Sequence, residues 1–277
     1  MNFKGWRPKV LVAHTKLPYA SLKNLREKCD LIFANSSNRA ELLEKVKGVD
    51  GILWASVQKL DREVLDAAGS QLKSISLKSA GYEFVDVAEV RLRNIPLGYT
   101  PSLSKSAVAE HAIGLALAAG RRYYDGRLCI EEDKWPDEPQ TFLGMELRDA
   151  VIGIFGFGDI GQAIAEKLQS FQPREIIYCS RTKKEHASVL AKFVSFEHLI
   201  KTSDFIFISC ALTNETRKLF NAEVFEEMKT RSVLINVARG GAVDHLALYD
   251  ALKNNSIFSA GLDVAFPEPL PTSHPLL

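Results

Sequence analysis

Residues 151–165 read Val-Ile-Gly-Ile-Phe-Gly-Phe-Gly-Asp-Ile-Gly-Gln-Ala-Ile-Ala, and this stretch decides the fold. An apolar run typical of a buried strand leads into a Gly-x-Gly-x-x-Gly sequence, and Ile164 and Leu168 then recur at helical spacing. The glycines allow a tight turn, close approach of the backbone to a pyrophosphate and close packing of helix on strand. Because a helix N-terminus attracts anions, the context predicts a dinucleotide site. The alternative is a glycine-rich turn without a ligand.

Short apolar runs alternate with amphipathic segments on both sides of this stretch. In the first hundred residues, strands are predicted at 9–13, 30–33, 51–54 and 72–77, and helices at 21–28, 39–46 and 61–68. The second series has predicted strands at 151–155, 175–179, 193–194, 204–210, 232–237 and 260–264. Such alternation predicts parallel sheets with helices on both faces. We therefore expect an α/β protein of two doubly wound parallel-sheet domains, residues 1–103 and 104–277, with a cleft between them.

The segment between the two series does not continue the alternation of short strands and helices. Residues 106–122 predict one long helix, and Ala, Leu and Ile occur all around it, so we expect burial on most sides. On such a helix, His111 is expected to be a packed core histidine. Residues 131–144 are polar, contain two prolines and predict a loop.

The composition limits the classes to which the protein can belong. There are 35 Lys and Arg against 34 Asp and Glu, so a formal net charge of +1 gives no general attraction to nucleic acid or membranes. The four cysteines form no Cys-x-x-Cys pair and the six histidines are scattered, so we expect neither a disulfide framework nor a metal site. No apolar run approaches the roughly 18 residues of a membrane span, and the first residues lack a signal-peptide core. We expect a cytoplasmic protein.

The residues about 20 positions beyond the glycines bear on the choice of coenzyme. An NAD site usually has an acid there, which holds the ribose 2′-hydroxyl. This sequence has Ser180-Arg181-Thr182-Lys183-Lys184, with three cations and no acid. A guanidinium can pair with a 2′-phosphate through two N–H donors, so the sequence predicts that NADP(H) is preferred and NAD(H) possible. The alternative is a solvated basic loop.

Four ordered motifs resemble those of the D-isomer specific 2-hydroxyacid dehydrogenases, over nearly the whole chain. They are the glycine motif with Leu-Gly-Met-Glu-Leu at 143–147, Leu-Thr-Asn-Glu-Thr at 212–216, Leu-Ile-Asn-Val-Ala-Arg-Gly-Gly-Ala-Val-Asp at 234–244, and Ala-Gly-Leu-Asp-Val at 260–264 with Pro-Glu-Pro-Leu-Pro at 267–271. Ser79-Ala80-Gly81-Tyr82 and Ala109-Glu110-His111-Ala112 match further family segments. The resemblance implies a flavodoxin-like substrate-binding domain over residues 1–103 and a Rossmann coenzyme domain over 104–277.

The resemblance, which is strongest to the glyoxylate and hydroxypyruvate reductases, also implies an activity. NADPH would reduce glyoxylate to glycolate and hydroxypyruvate to D-glycerate by hydride transfer. This reduction needs a cation that binds the substrate carboxylate and polarises the substrate ketone. It also needs a donor that gives a proton to the new alkoxide. The resemblance implies that Arg239 is this cation and that its guanidinium is buried. The alternative is an arginine that pairs with a surface acid. The resemblance also implies that Glu268 pairs with a catalytic histidine and raises the pKa of its imidazole. The alternative is a solvated loop acid.

Further residues complete the predicted site. The backbone N–H groups of Ala80 and Gly81 are expected to bind the substrate carboxylate together with Arg239, unless they belong to an ordinary loop. Asp263 is expected near the nicotinamide carboxamide, unless it binds its own backbone. Coenzyme contacts are predicted for twelve residues: Gly156, Gly158, Asp159, Ile160, Ser180, Arg181, Thr182, Cys210, Leu212, Thr216, Val237 and Asp263.

The histidine that donates the proton in this family has no counterpart in the sequence, which ends at Leu277 before the corresponding segment. His274 matches a preceding turn and is expected to be a turn residue. The others lie elsewhere: His14, His111, His186, His198 and His245. We favour an incomplete sequence of a full-length enzyme. A naturally truncated product would be nearly inactive, because loss of the donor costs about 10²–10⁴-fold.

Several alternatives stay open. The substrate could be 3-phosphoglycerate or a bulkier 2-oxo acid, and Lys78, in a predicted pocket of residues 54–57 and 78–81, puts its identity in doubt. The protein could also be a dinucleotide-sensing corepressor, although it has no long disordered tail or basic patch, or an inactive fragment. The family usually dimerises through its coenzyme domain, so we expect a homodimer. Residues 106–120 are expected to lie in its interface or to pack between the domains.

Overall fold

The computed structural model describes residues 6–56, 58–185 and 190–277. The chain forms two compact units, Met1–Leu103 and Ser104–Leu277. Val57 of the predicted pocket and the histidine at position 186 lie outside the described residues. Within the part of the chain that is described, none of the helices combines the length and apolarity needed to cross a membrane.

The first unit is built around a five-stranded parallel sheet. Its strands are β1 Lys9–Val12, β2 Asp30–Phe33, β3 Gly51–Trp54, β4 Ser74–Leu77 and β5 Leu97–Gly98. Its helices are α1 Tyr19–Lys28, α2 Arg39–Lys45, α3 Arg62–Ala68 and α4 Val87–Leu92. The strand order β2-β1-β3-β4-β5 is that of flavodoxin-like folds, as predicted.

Side-chain caps explain where three of these helices begin. Asn38, Asp61 and Asp86 each accept a hydrogen bond from the backbone N–H three residues later. Asp61 Oδ1 accepts from the Val64 N–H at 3.3 Å, so α3 begins directly after the first residue of the helix predicted over 61–68. The short elements α4 and β5 were not predicted, because six and two residues are too few to show a periodicity.

The second unit contains a six-stranded parallel sheet. Its strands are β6 Val151–Phe155, β7 Glu175–Cys179, β8 Lys192–Phe193, β9 Phe205–Ile208, β10 Val233–Asn236 and β11 Ser259–Leu262. Its helices are α5 Lys105–Gly120, α6 Tyr123–Glu131, α7 Asp159–Leu168, α8 Phe196–Thr202, α9 Ala222–Glu227 and α10 His245–Lys253. The order β11-β10-β9-β6-β7-β8 is the Rossmann order read from its other end, as predicted.

Of the two expectations about the helix between the two series, the one about His111 is wrong. The fully buried residues of α5 are Ala109, Ala112, Ile113, Ala116 and Gly120. Four partly buried residues on the flanks of this face pack against the same core, so the helix is covered on most sides, as expected: Val108, Leu115, Leu117 and Ala119. His111 is exposed, and its Nε2 lies 3.1 Å from the Asp263 Oδ1. The physical reason is that His111 lies on the one side of α5 that is not covered, together with the exposed Ala107, Glu110 and Gly114, whose mixture of small and charged residues does not mark that side in an apolar sequence.

Candidate coenzyme and substrate site

A cavity of about 560 Å³ lies at the carboxyl ends of β6, β7 and β9. The strand order reverses between β6 and β9, because β7 and β8 lie on one side of β6 and the later strands on the other. In open α/β sheets, ligands bind in the crevice at such a switch point. The position of the cavity therefore agrees with the position that the glycine motif predicted for a dinucleotide.

The first wall of the cavity is the glycine turn between β6 and α7. Gly156 has a φ of +95°, and a Cβ atom there would lie 2.5 Å from the backbone nitrogen of Cys210. Ser209 Oγ donates a 2.6 Å hydrogen bond to the Gly156 carbonyl, which holds the turn against the end of β9. A side chain at position 156 would therefore separate the two strand ends that form the crevice.

The start of α7 is suited to an anion. Gly158 is its N-cap and supplies no side-chain hydrogen bond, so no side-chain cap occupies the first amides of the helix. A Cβ atom at Gly158 would meet no atom within 4 Å, so the space in front of the turn is open. These features fit the diphosphate of a dinucleotide.

The second wall is the loop after β7. Ser180 Oγ donates to the Thr182 carbonyl at 2.7 Å, and the Lys184 backbone N–H donates to the Tyr178 hydroxyl at 2.9 Å. The Tyr178 ring in turn stacks on Phe157 of the glycine turn, with 4.0 Å between ring centroids. This arrangement places two cations of the loop, Arg181 and Lys184, on the cavity wall.

The third wall is the loop after β9, which includes the Leu-Thr-Asn-Glu-Thr motif. Thr216 Oγ1 donates to the Ala211 carbonyl at 2.8 Å and accepts from the Thr213 N–H at 2.7 Å. Thr213 Oγ1 donates to Glu215 Oε2 at 2.6 Å, and this hydrogen bond is the main reason why the pKa of the Glu215 carboxyl is below its usual value. Sequence reasoning missed Glu215 as a residue of the cavity, although the quoted motif contained it.

Two thiols also face this cavity. Burial raises the pKa of Cys179, and it raises that of Cys210 to about 11. Both thiols are therefore protonated at neutral pH and serve as apolar lining, because the thiolate is the nucleophilic and metal-binding form. Among the described residues, no group of three or more His, Cys, Asp or Glu side chains could hold a metal ion.

The structure brings together seven of the twelve residues for which coenzyme contacts were predicted. Those that line the cavity are Gly156, Gly158, Ser180, Arg181, Thr182, Cys210 and Thr216. The other five lie outside its lining: Asp159 and Ile160 in α7, Leu212 after β9, Val237 after β10, and Asp263 after β11. The contacts of all twelve with a coenzyme remain predictions.

Arg239 lies in a tightly held turn after β10. The buried Asn236 side chain donates to the Arg239 carbonyl and accepts from the Ala238 N–H, both at 3.0 Å. The expectation of a buried guanidinium is wrong, because the Arg239 side chain is exposed and its Nη1 donates to the Ala238 carbonyl at 2.8 Å. A guanidinium is costly to bury without an anion, so the turn presents it outward between the buried Ala238 and Gly240.

The segment after β11 carries the two predicted acids. Asp263 donates its backbone N–H to the Asn236 carbonyl at 3.0 Å, and its carboxylate contacts His111 on α5. Glu268 is exposed. His245, at the start of α10, is buried, and its Nδ1 lies 3.0 Å from the Phe266 carbonyl between these acids. His274 lies in a turn, as predicted, because its N–H donates to the Pro271 carbonyl at 2.9 Å.

The predicted substrate-binding residues of the first unit follow the carboxyl end of β4. Ser79 Oγ donates to the Gly81 carbonyl at 2.7 Å, and Thr100 Oγ1 donates to the Lys78 carbonyl at 2.8 Å. These bonds hold the loop, while Ala80 and the Lys78 side chain are exposed. A role of Ala80 and Gly81 in substrate binding remains a prediction.

Comparison with known proteins decides the family. The model of the D-isomer specific 2-hydroxyacid dehydrogenase NAD binding domain matches residues 113–277. The chain is also 40% identical to the glyoxylate reductase/hydroxypyruvate reductase of Homo sapiens over 240 residues, which are 86% of this chain and 73% of that protein. The chain belongs to the D-isomer specific 2-hydroxyacid dehydrogenase family.

Two further proteins are similar over more of the chain. The glyoxylate reductase of Thermofilum pendens is 38% identical over 278 residues, which are 98% of this chain and 81% of that protein. A crystal structure of a protein from Thermus thermophilus superposes with a TM-score of 0.88 at 37% identity, and the match covers 97% of this chain and 85% of that one. The chain is thus an NAD(P)-dependent oxidoreductase with a nicotinamide dinucleotide as its coenzyme, as the resemblance implied.

Proposed function

We propose that this dehydrogenase reduces glyoxylate to glycolate and hydroxypyruvate to D-glycerate, with NADPH as the preferred coenzyme. The observation that carries the coenzyme preference is the position of Arg181, which lies on the cavity wall directly after β7, where an NAD site would have an acid. The substrates are supported by the similarity to proteins named glyoxylate reductase in Homo sapiens and Thermofilum pendens.

The chain would hold the coenzyme with three groups. The glycine turn and the first amides of α7 would bind the diphosphate, and the Arg181 guanidinium would bind the 2′-phosphate through paired N–H donors. The protonated thiols of Cys179 and Cys210 would pack against it without reacting. When bound, the reduced nicotinamide supplies the hydride.

The chain's own side chains would then orient the 2-oxo acid. Arg239 would pair with the carboxylate and draw electron density from the ketone oxygen, which its outward position after β10 allows. The Ala80 and Gly81 N–H groups would bind the same carboxylate. Asp263, held by the Asn236 carbonyl, would bind the nicotinamide carboxamide. Glu268 would support the histidine of the family's further segment, which is not among residues 1–277 and which would donate a proton to the alkoxide oxygen.

Calorimetric titration of the purified protein with NADPH and NADH tests the coenzyme preference. We expect tighter binding of NADPH, and Arg181→Ala should weaken NADPH binding roughly ten- to hundredfold while NADH binding changes little, because charge-assisted hydrogen bonds to a phosphate are lost. Lys183→Ala is a matched control, since it removes the same charge from the same loop, at a residue outside the cavity lining. Equal affinities for both coenzymes in the unaltered protein would contradict the preference. Turnover is to be measured in a chain that continues through the family's histidine segment, and the absence of NADPH-dependent turnover of either acid there would contradict the substrates.

We also propose that the protein is a cytoplasmic homodimer. All four cysteines are unpaired, which is typical of proteins in a reducing compartment. In α6 no residue is buried, and Tyr123, Tyr124 and Ile130 are all more than 60% exposed. Trp135 stacks on Phe142 nearby in the sequence, with 5.6 Å between ring centroids. These apolar side chains support an interface on α6 and residues 132–142.

A further inference from the structure

The coenzyme cavity contains one acid among its described lining residues, and this acid is Glu215. It comes from the loop after β9, whereas the cations Arg181 and Lys184 come from the loop after β7. The 2.6 Å hydrogen bond from Thr213 Oγ1 holds the Glu215 carboxylate, and Thr213 itself lines the cavity. The lining therefore places one negative charge in the same space as the two cations that are expected to attract a phosphate.

The charges of Glu215 and Arg181 act on each other across this space. The Thr213 hydrogen bond and, to a smaller degree, the positive charge of Arg181 lower the pKa of the Glu215 carboxyl. The carboxyl is therefore ionised at neutral pH. In the described part of the chain, no direct ion pair joins Glu215 to Arg181, so the attraction acts at a distance and leaves room for a ligand group.

We propose that Glu215 is a specificity-determining residue that limits the preference of this enzyme for NADPH. A 2′-phosphate carries a charge of about −1.5 to −2, so Arg181 would attract it while Glu215 repels it. The uncharged 2′-hydroxyl of NADH meets no such repulsion. The inference rests on the proposed function, since it assumes that the adenosine ribose lies beside Arg181. It explains how a cavity with two cations could still accept both coenzymes.

Glu215→Gln tests this inference because the amide keeps the size of the side chain and can still accept from Thr213. We expect this variant to bind NADPH roughly three- to tenfold more tightly, as the loss of a solvated charge–charge repulsion predicts. NADH affinity should change less than about twofold, because NADH has no 2′-phosphate and its diphosphate is expected at the glycine turn and not beside Arg181. Repeating the titration in 1 M salt should abolish most of the gain, since the screening length falls to about 3 Å.

Glu175→Gln is the matched control. It removes the same charge at the opposite end of β7, at an exposed residue outside the cavity lining. Neither coenzyme should bind it differently from the unaltered protein. A similar gain in this control would show that net charge alone is responsible, and it would overturn the inference.

The other outcomes separate the inference from the proposed function. If Arg181→Ala weakens NADPH binding but Glu215→Gln leaves it unchanged, the proposed coenzyme preference stands and the inference on Glu215 is wrong. If Glu215→Gln instead weakens NADH binding, Glu215 holds the ribose hydroxyl and the inference is also wrong. If Arg181→Ala changes neither affinity, or if neither coenzyme binds, the proposed function fails and the inference fails with it.

Discussion

Gly156 is the residue whose backbone conformation the coenzyme cavity requires. Its φ of +95° lies in the region that favours glycine, and a Cβ atom would lie 2.5 Å from the Cys210 nitrogen. We predict that Gly156→Ala lowers the free energy of unfolding by about 2–4 kcal/mol, through backbone strain and the overlap with the end of β9. Urea unfolding monitored by circular dichroism measures this loss.

Gly158 provides the control in the same turn. Its φ of −81° suits any residue, and a Cβ atom there would meet no protein atom within 4 Å. Gly158→Ala should therefore change the free energy of unfolding by less than about 1 kcal/mol. Equal losses in the two variants would show that close approach of β6 and β9 is not the reason for glycine at position 156.

His111 shows why the surroundings of a single residue were harder to predict than the motif. Its helix contains mainly apolar residues, and this composition predicted a core position. The structure instead exposes the ring and pairs it with Asp263. The neighbouring residues are small, so the helix can be apolar without being covered on all sides, and sequence composition does not reveal that distinction.

Among the elements, β9 is held to its neighbours by Asp204, the charged residue that directly precedes it. Asp204 is buried, accepts a 2.8 Å hydrogen bond from the Val151 N–H of β6, and lies 3.0 Å from Lys229 Nζ and from Arg231 Nε. Burial raises the pKa of this carboxyl, but the hydrogen bonds and the two cations lower it by more, so its net pKa is below the ordinary value. The ionised carboxylate therefore joins β9 to β6 and to the segment that leads into β10.

This arrangement predicts a pH-dependent stability. Because the folded-state pKa is below the unfolded value of about 3.9, the carboxylate stabilises the fold above that pH, and its contribution is lost as the pH falls through the lower folded-state value. Asp204→Asn should lower the free energy of unfolding by about 1–3 kcal/mol at neutral pH, with a smaller difference near pH 3. Urea midpoints measured across this pH range would show it.

Asp250→Asn on α10 is a suitable comparison, since Asp250 is exposed. Asp250→Asn should change the free energy of unfolding very little at any pH in this range. A pH-independent loss in Asp204→Asn would mean that the side chain acts through shape and not through charge.

The elements that periodicity predicted correctly are mostly the buried ones. β6, β9 and β10 are buried along their whole length, so their apolar runs are continuous in the sequence. By contrast, α6 was not predicted, and it has no buried residue, so no apolar stripe marks it as a helix. A helix that packs little against its own unit leaves a weak signal in the sequence. α8, α9 and α10 were not predicted either, although they have buried residues, because six to nine residues are too few to show a clear helical period.

For the whole molecule, the exposed apolar side chains of α6 predict self-association. We expect light scattering coupled to size-exclusion chromatography to give the mass of a dimer. Ile130→Asp should shift the mass toward that of a monomer, because it places a charge among apolar side chains that are expected to be buried in the interface. Leu92→Asp is the control, since Leu92 is 76% exposed on α4, outside the proposed interface. A dimer that survives Ile130→Asp would place the interface elsewhere.

The sequence alone predicted the two β/α series, the strand that leads into the glycine turn and the cations after β7, because each depends on neighbouring residues and on local periodicity. It did not predict that Glu215 shares a cavity with Arg181, that His111 pairs with Asp263, or that Arg239 is exposed. These facts depend on which loops meet at the edge of a parallel sheet. Burial and charge interactions are set by distances in space, and such distances exist only after the chain has folded.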